Sequence, residues 1–159
     1  MKRPLFYISG NKVFAGGVNG VVEAFDSSGN KLFSLQHPYE KIEFTTGHKE
    51  KFVKDFSTHP RYQSLYQMIK SLAKYPEYFP LIRHFLVADN KIYVLTYKEI
   101  NNKCQFVVFD SKGKFLNQLM LPVKEKDALE PFPFTIKNEK LYQAVEDEGG
   151  CKLHITDFK

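Results

Sequence analysis

The chain has 159 residues, 43% of them hydrophobic, 15% aromatic and 26% charged, a composition that suits one ordered domain and excludes a disordered tail. A chain of this length buries roughly 70% of the surface its unfolded form exposes, so neither a disulfide nor a structural metal is needed for stability. The formal charge of +5 is scattered: its densest basic group, Lys49, Lys51 and Lys54, is interrupted by Glu50 and Asp55, which predicts a solvated face and no nucleic-acid partner.

No stretch reaches the roughly 18 uncharged apolar residues of a membrane span, and no apolar core with a cleavage site follows Met1-Lys2-Arg3-Pro4. The compartment stays open. In chain order, Leu5-Phe6-Tyr7-Ile8 reads as a short strand, and the turn at Gly10-Asn11 leads into a second at Lys12-Val13-Phe14. The segment Gly20-Val-Val-Glu-Ala-Phe-Asp26 supplies a third. Its Asp opens the turn Asp26-Ser27-Ser28-Gly29, where the carboxylate caps its own backbone and glycine takes positive φ. Lys31-Leu32-Phe33-Ser34-Leu35 then returns as a fourth strand. The glycine-rich run Gly16-Gly17-Val18-Asn19-Gly20 precedes no helix, so a hairpin turn is expected there and not a phosphate cradle.

Between residues 46 and 80 the apolar period changes from two to 3.6. Tyr62, Leu65, Tyr66, Ile69 and Leu72 define one helical face between Pro60 and Pro76, and Phe52, Val53 and Phe56 suggest a shorter helix before it. That face is expected to pack on a sheet edge or over one end of the strand array. Strands resume at His84-Phe85-Leu86-Val87-Ala88, Lys91-Ile92-Tyr93, Cys104-Gln-Phe-Val-Val-Phe-Asp110 and, after the turn Asp110-Ser111-Lys112-Gly113, Phe115-Leu116-Asn117-Gln118-Leu119-Met120-Leu121. The last are Phe134-Thr135-Ile136, Lys140-Leu141-Tyr142 and Cys151-Lys-Leu-His-Ile-Thr-Asp157.

The segments ending in Asp26, Asp110 and Asp157 align without gaps, and each is preceded by a polar turn that leads into an apolar strand. Asp110 and Asp157 are 47 residues apart, whereas Asp26 and Asp110 are 84 apart; the excess of 37 matches the helical insertion. The expected architecture is mainly all-β: a partial β-propeller of about three four-stranded antiparallel blades with one α-helical insertion. Its units are a blade at 1–45, the insert at 46–80, a blade at 81–123 and an incomplete blade at 131–159. The runs from Val21 to Phe33, from Phe79 to Tyr97 and from Phe134 to Gln143 resemble the C-terminal half of bacterial six-bladed β-propeller proteins of the broad NHL-like type. The resemblance covers nearly the whole chain and implies a fold, without any catalytic residue to carry over. It implies a piece of a protein about twice as long, or a homodimer that completes the ring.

Chemistry-bearing residues are sparse. His37, His48, His59, His84 and His154 show no ligand spacing, and the run Ser57-Thr58-His59-Pro60 is expected to break a helix between Asp55 and His59. Cys104 and Cys151 sit at equivalent positions of adjacent blades, about 10 Å or more apart, whereas a disulfide needs under about 7 Å between Cα atoms, so two free thiols are expected. Glu146-Asp147-Glu148-Gly149-Gly150 reads as a hairpin loop. No catalytic, cofactor-binding or metal-binding residue is assigned. The candidate partner-binding residues are Tyr62, Tyr66, Tyr75, Tyr78 and Phe79, clustered in and after the insert, because aromatic rings bury large area at low entropic cost. The functional expectation is a non-catalytic scaffold for a protein or peptide partner, without a cofactor. The alternative is an enzyme whose site lies at the mouth of a central channel.

Overall fold

The computed structural model describes residues 5–16, 20–60, 62–127 and 130–158; the N-terminal run Met1 to Pro4 and the centre of the glycine-rich run, Gly17 to Asn19, lie outside them. The protein is mainly β. Its strands are β1 (Leu5–Ser9), β2 (Lys12–Gly16), β3 (Val22–Phe25), β4 (Lys31–Leu35), β5 (His84–Ala88), β6 (Lys91–Ile100), β7 (Lys103–Asp110), β8 (Phe115–Leu121), β9 (Glu125–Asp127), β10 (Glu130–Pro131), β11 (Phe134–Lys137), β12 (Lys140–Asp147) and β13 (Gly150–Asp157). Two helices, α1 (Thr46–Thr58) and α2 (Gln63–Ile69), lie between β4 and β5.

All pairings between these strands are antiparallel and join sequence neighbours. They form sheet I (β1 to β4), sheet II (β5 to β8), sheet III (β11 to β13) and the small hairpin β9–β10. The turns explain this order. Asp26 Oδ1 accepts the backbone N–H groups of Ser28 and Asn30 at 2.9 and 2.8 Å, and Asp110 Oδ1 accepts those of Lys112 and Lys114 at 2.9 Å each. Gly29 and Gly113 take φ of +85° and +87° in these turns, as the repeat predicts. Three further hairpins turn on pairs with both φ positive, Asp89-Asn90, Asn101-Asn102 and Asn138-Glu139, while the β1–β2 and β12–β13 turns use positive φ at Gly10 and Gly150.

Side-chain alternation then sets the packing. Phe14, Val22, Ala24 and Leu35 of sheet I meet Phe85, Val87, Ile92, Val94, Val107 and Phe109 of sheet II in one core. On the opposite face of sheet II, Leu86, Tyr93, Leu95, Cys104, Phe106, Val108 and Leu121 form a second core with Ile136 and Leu141 of sheet III. Sheet II is therefore buried on both faces, which accounts for the unbroken apolar runs of β6 and β7. The strongest strand contacts between sheets join their first strands, β1 with β5 and β5 with β11. Buried Gln143 fastens sheet III to the approaching chain: its amide donates to the Lys124 and Phe132 carbonyls and accepts the Lys124 N–H.

The insert departs from expectation in two respects. The longer helix is α1, with 13 residues, and α2 has only seven. A capping box explains the length of α1: the Thr45 hydroxyl accepts the His48 N–H while His48 Nδ1 accepts the Thr45 N–H. The helix runs through Thr58 before Pro60 stops it, so the break falls at His59, whose N–H still reaches the Asp55 carbonyl at 3.0 Å. α2 has no side-chain cap. The second departure concerns burial: Leu65 and Leu72 of the expected packing face are exposed, as is Met68. Sheet II already has both faces covered by its neighbours, and the aromatic rings of the insert pack largely on one another.

Candidate functional site

The insert joins the sheets through a narrow neck. The Phe44 N–H donates to the Glu77 carbonyl at 2.8 Å and the Phe79 N–H to the Ile42 carbonyl at 2.9 Å, with an antiparallel bridge between Glu43 and Tyr78. Two antiparallel chain segments thus hold the base of a helical pair.

From this neck a ladder of rings runs outward. Phe79 stacks on Tyr97 of β6 at 4.2 Å and meets Phe44 edge-on at 4.9 Å. Phe44 stacks on Tyr75 at 6.0 Å, Tyr75 meets Phe52 at 6.2 Å, Phe52 stacks on Phe56 at 4.5 Å, and Phe56 stacks on Tyr62 at 5.0 Å. Such contacts stabilise by about 0.5–1.5 kcal/mol each beyond the area they bury. Of the five candidate residues, Tyr62, Tyr75 and Phe79 belong to this ladder. Tyr66 is half-buried near Tyr75, and Tyr78 stands apart, exposed, with Lys41 over its ring at 5.8 Å.

Beneath the ladder lies a charged junction that the sequence did not disclose. Arg83, its side chain 5% exposed, stacks under Tyr97 at 5.3 Å and donates to Glu125 at 2.9 Å. Lys51 of α1 ion-pairs with the same carboxylate. Burial of Glu125 opposes its charge, but Lys51 and Arg83 outweigh burial and hold its carboxyl below the usual range. An open cleft of about 420 Å³ beside it is lined by Lys51, Glu99, Asn102, Pro122 to Lys124 and Glu125.

Both thiols are free; Cys104 is buried and Cys151 exposed. Burial pushes the Cys104 thiol upward, against the pull of Arg83, which disfavours the thiolate a nucleophile requires. The histidines serve packing. His37 stacks on Phe115 at 5.2 Å, His48 caps α1, His59 lies on Tyr62, His84 meets Phe134 edge-on, and His154 approaches Lys124 at 3.5 Å. Among the described residues no three His, Cys, Asp or Glu side chains converge as metal ligands, and no helix is long and apolar enough to cross a membrane. Asp147 in the acidic loop accepts the Gly149 N–H and pairs with Lys152.

No protein-family model matches the chain, and no curated protein is significantly similar to it in sequence.

Proposed function

We propose that this chain is a non-catalytic interaction scaffold built as part of a six-bladed β-propeller of NHL-like type, with its helical insert as the surface that receives a protein or peptide. Three consecutive meander sheets, stacked face to face with their first strands closest, support the propeller reading. The observation that carries the scaffold reading is a division of labour. The histidines pack or cap, the Cys104 thiol lies in a core, and Asp26, Asp110, Asp147 and Glu125 serve turns and ion pairs, while Leu65, Met68 and Leu72 stay exposed along α2 and the turn after it.

To the candidate tyrosines and Phe79 this adds the apolar strip as contact surface, next to Tyr62 at the outer end of the ring ladder. Lys70, bonded to Gln67 of α2, and Lys74 flank the strip in the chain, which favours a partner segment with apolar anchors and acidic flanks. A second copy completing the ring of sheets belongs to the same reading. Its scattered positive charge gives nucleic acid no continuous track.

Peptide selection on the immobilised protein tests the proposal. Enriched sequences are expected to bind at least about tenfold more weakly to Met68→Asp than to the parent chain. Failure to enrich any peptide, or turnover of substrates by the purified protein, would count against it.

A further inference from the structure

The two outermost faces of the stack carry the two halves of its own inter-sheet interface. The ladder registers make the sheets superimposable: Val13 opposes Phe25, Ile92 opposes Phe109, and Leu141 opposes Thr156. Phe6 and Ile8 of β1 therefore stand where Phe85 and Val87 stand in β5, two residues buried against the preceding sheet. No sheet precedes sheet I among the described residues, and Ile8 is 73% exposed against 9% for Val87. Val13, Ala15 and Phe25 continue this face at the positions of Ile92, Val94 and Phe109.

At the other end, Leu153 and Ile155 of β13 stand where Phe106 and Val108 stand in β7, which are buried against the following sheet. Leu153 is 63% exposed, whereas Phe106 is fully buried at 0%. Tyr142 and Ala144 occupy the positions of Tyr93 and Leu95 on the same face. One end thus offers the surface that accepts a sheet, and the other offers the surface that sheets I and II each lay on their successor.

We infer that a second copy of this chain covers both faces: sheet III of each copy stacks on sheet I of the other, closing a six-sheet ring with two-fold symmetry. Each contact joins unlike patches, the two-fold axis relates the two contacts, and the packing is one already used twice within the chain. Glu23, on the accepting face, brings its own counter-ion, Lys31, at 2.6 Å, so its burial leaves no unpaired charge. The inference rests on the sheet-stacking part of the propeller reading.

Sedimentation equilibrium of the full chain over about two decades of concentration is the test. The expected species is a dimer of twice 18.5 kDa. Ile8→Asp disables one face and Leu153→Asp the other, and both side chains point to solvent in the isolated chain, so the fold is retained. Each variant alone should associate at least about 100-fold more weakly, because no copy keeps both partners of a contact intact. Mixed together, the two should form a one-to-one heterodimer through the single intact pair of faces. A monomeric parent chain, an open polymer, or a dimer that persists in either variant alone would overturn the inference. Edge pairing through β13 would appear as such persistence in Ile8→Asp. Peptide capture at Met68 is read separately, so the two readings fail independently.

Discussion

Single side chains decide where this chain reverses. Asp110 holds two backbone N–H groups of its turn, whereas Asp157, at the same repeat position, only pairs with Lys140 at 3.2 Å on the surface. Asp110→Ala should therefore lower the urea midpoint clearly and Asp157→Ala scarcely at all. Glu139 sits at φ +56°, a conformation that glycine adopts without strain. Replacing it with Gly should raise unfolding stability by about 1 kcal/mol, read from denaturant titration. His84 and His37 are both held below the ordinary imidazole value by burial, with Arg83 adding to the effect on His84. The folded chain therefore takes up these protons less readily than the unfolded chain, which binds them as pH falls through about 6.5. The unfolded state then binds more protons, so stability should drop between pH 7.5 and pH 5.5. His84→Phe should flatten part of that dependence in urea titrations at the two pH values.

At the scale of elements, the insert is fastened by a cap, a ring ladder and one ion-paired junction. Thr45→Ala should cost α1 about 1 kcal/mol, seen as faster amide exchange in residues 46–49 with the sheet amides unchanged. Glu125→Ala takes the carboxylate from a guanidinium that is almost wholly buried and should destabilise by about 2 kcal/mol, measured by thermal unfolding; Arg83→Met, which keeps volume under Tyr97, should cost less. These elements also show how much the sequence disclosed. The meander sheets were legible because Asp-x-x-Gly turns and alternating strands are local signals. The relative lengths of the helices were not, since the cap of α1 uses His48 where a Glu or Gln is the familiar partner. The pair β9–β10 is not legible because Glu125 to Pro131 has no apolar alternation. The tyrosines were visible as a supply of rings, but their direction depended on contacts such as Phe79 with Tyr97. Arg83 and Glu125, 42 residues apart, meet only in the fold.

For the whole molecule, the neck predicts that the insert is separable. Its two chain segments already lie hydrogen-bonded side by side at Phe44 and Glu77, so replacing residues 46–75 with a short glycine-serine turn should leave the three sheets folded. Circular dichroism should keep its β signature, and unfolding should stay cooperative, while the peptide affinity assigned to Met68 is lost. The doubly buried sheet II has a further consequence, for synthesis on the ribosome. Every named strand pairs with its predecessor or successor, so each sheet can zip up as soon as its own residues emerge. Sheet II can cover one face against sheet I at once, yet Tyr93, Leu95 and Phe106 must wait, facing water, until Ile136 and Leu141 have left the exit tunnel. During that interval the nascent chain displays its most adhesive surface, and it is there that a ribosome-bound chaperone has the most to shield.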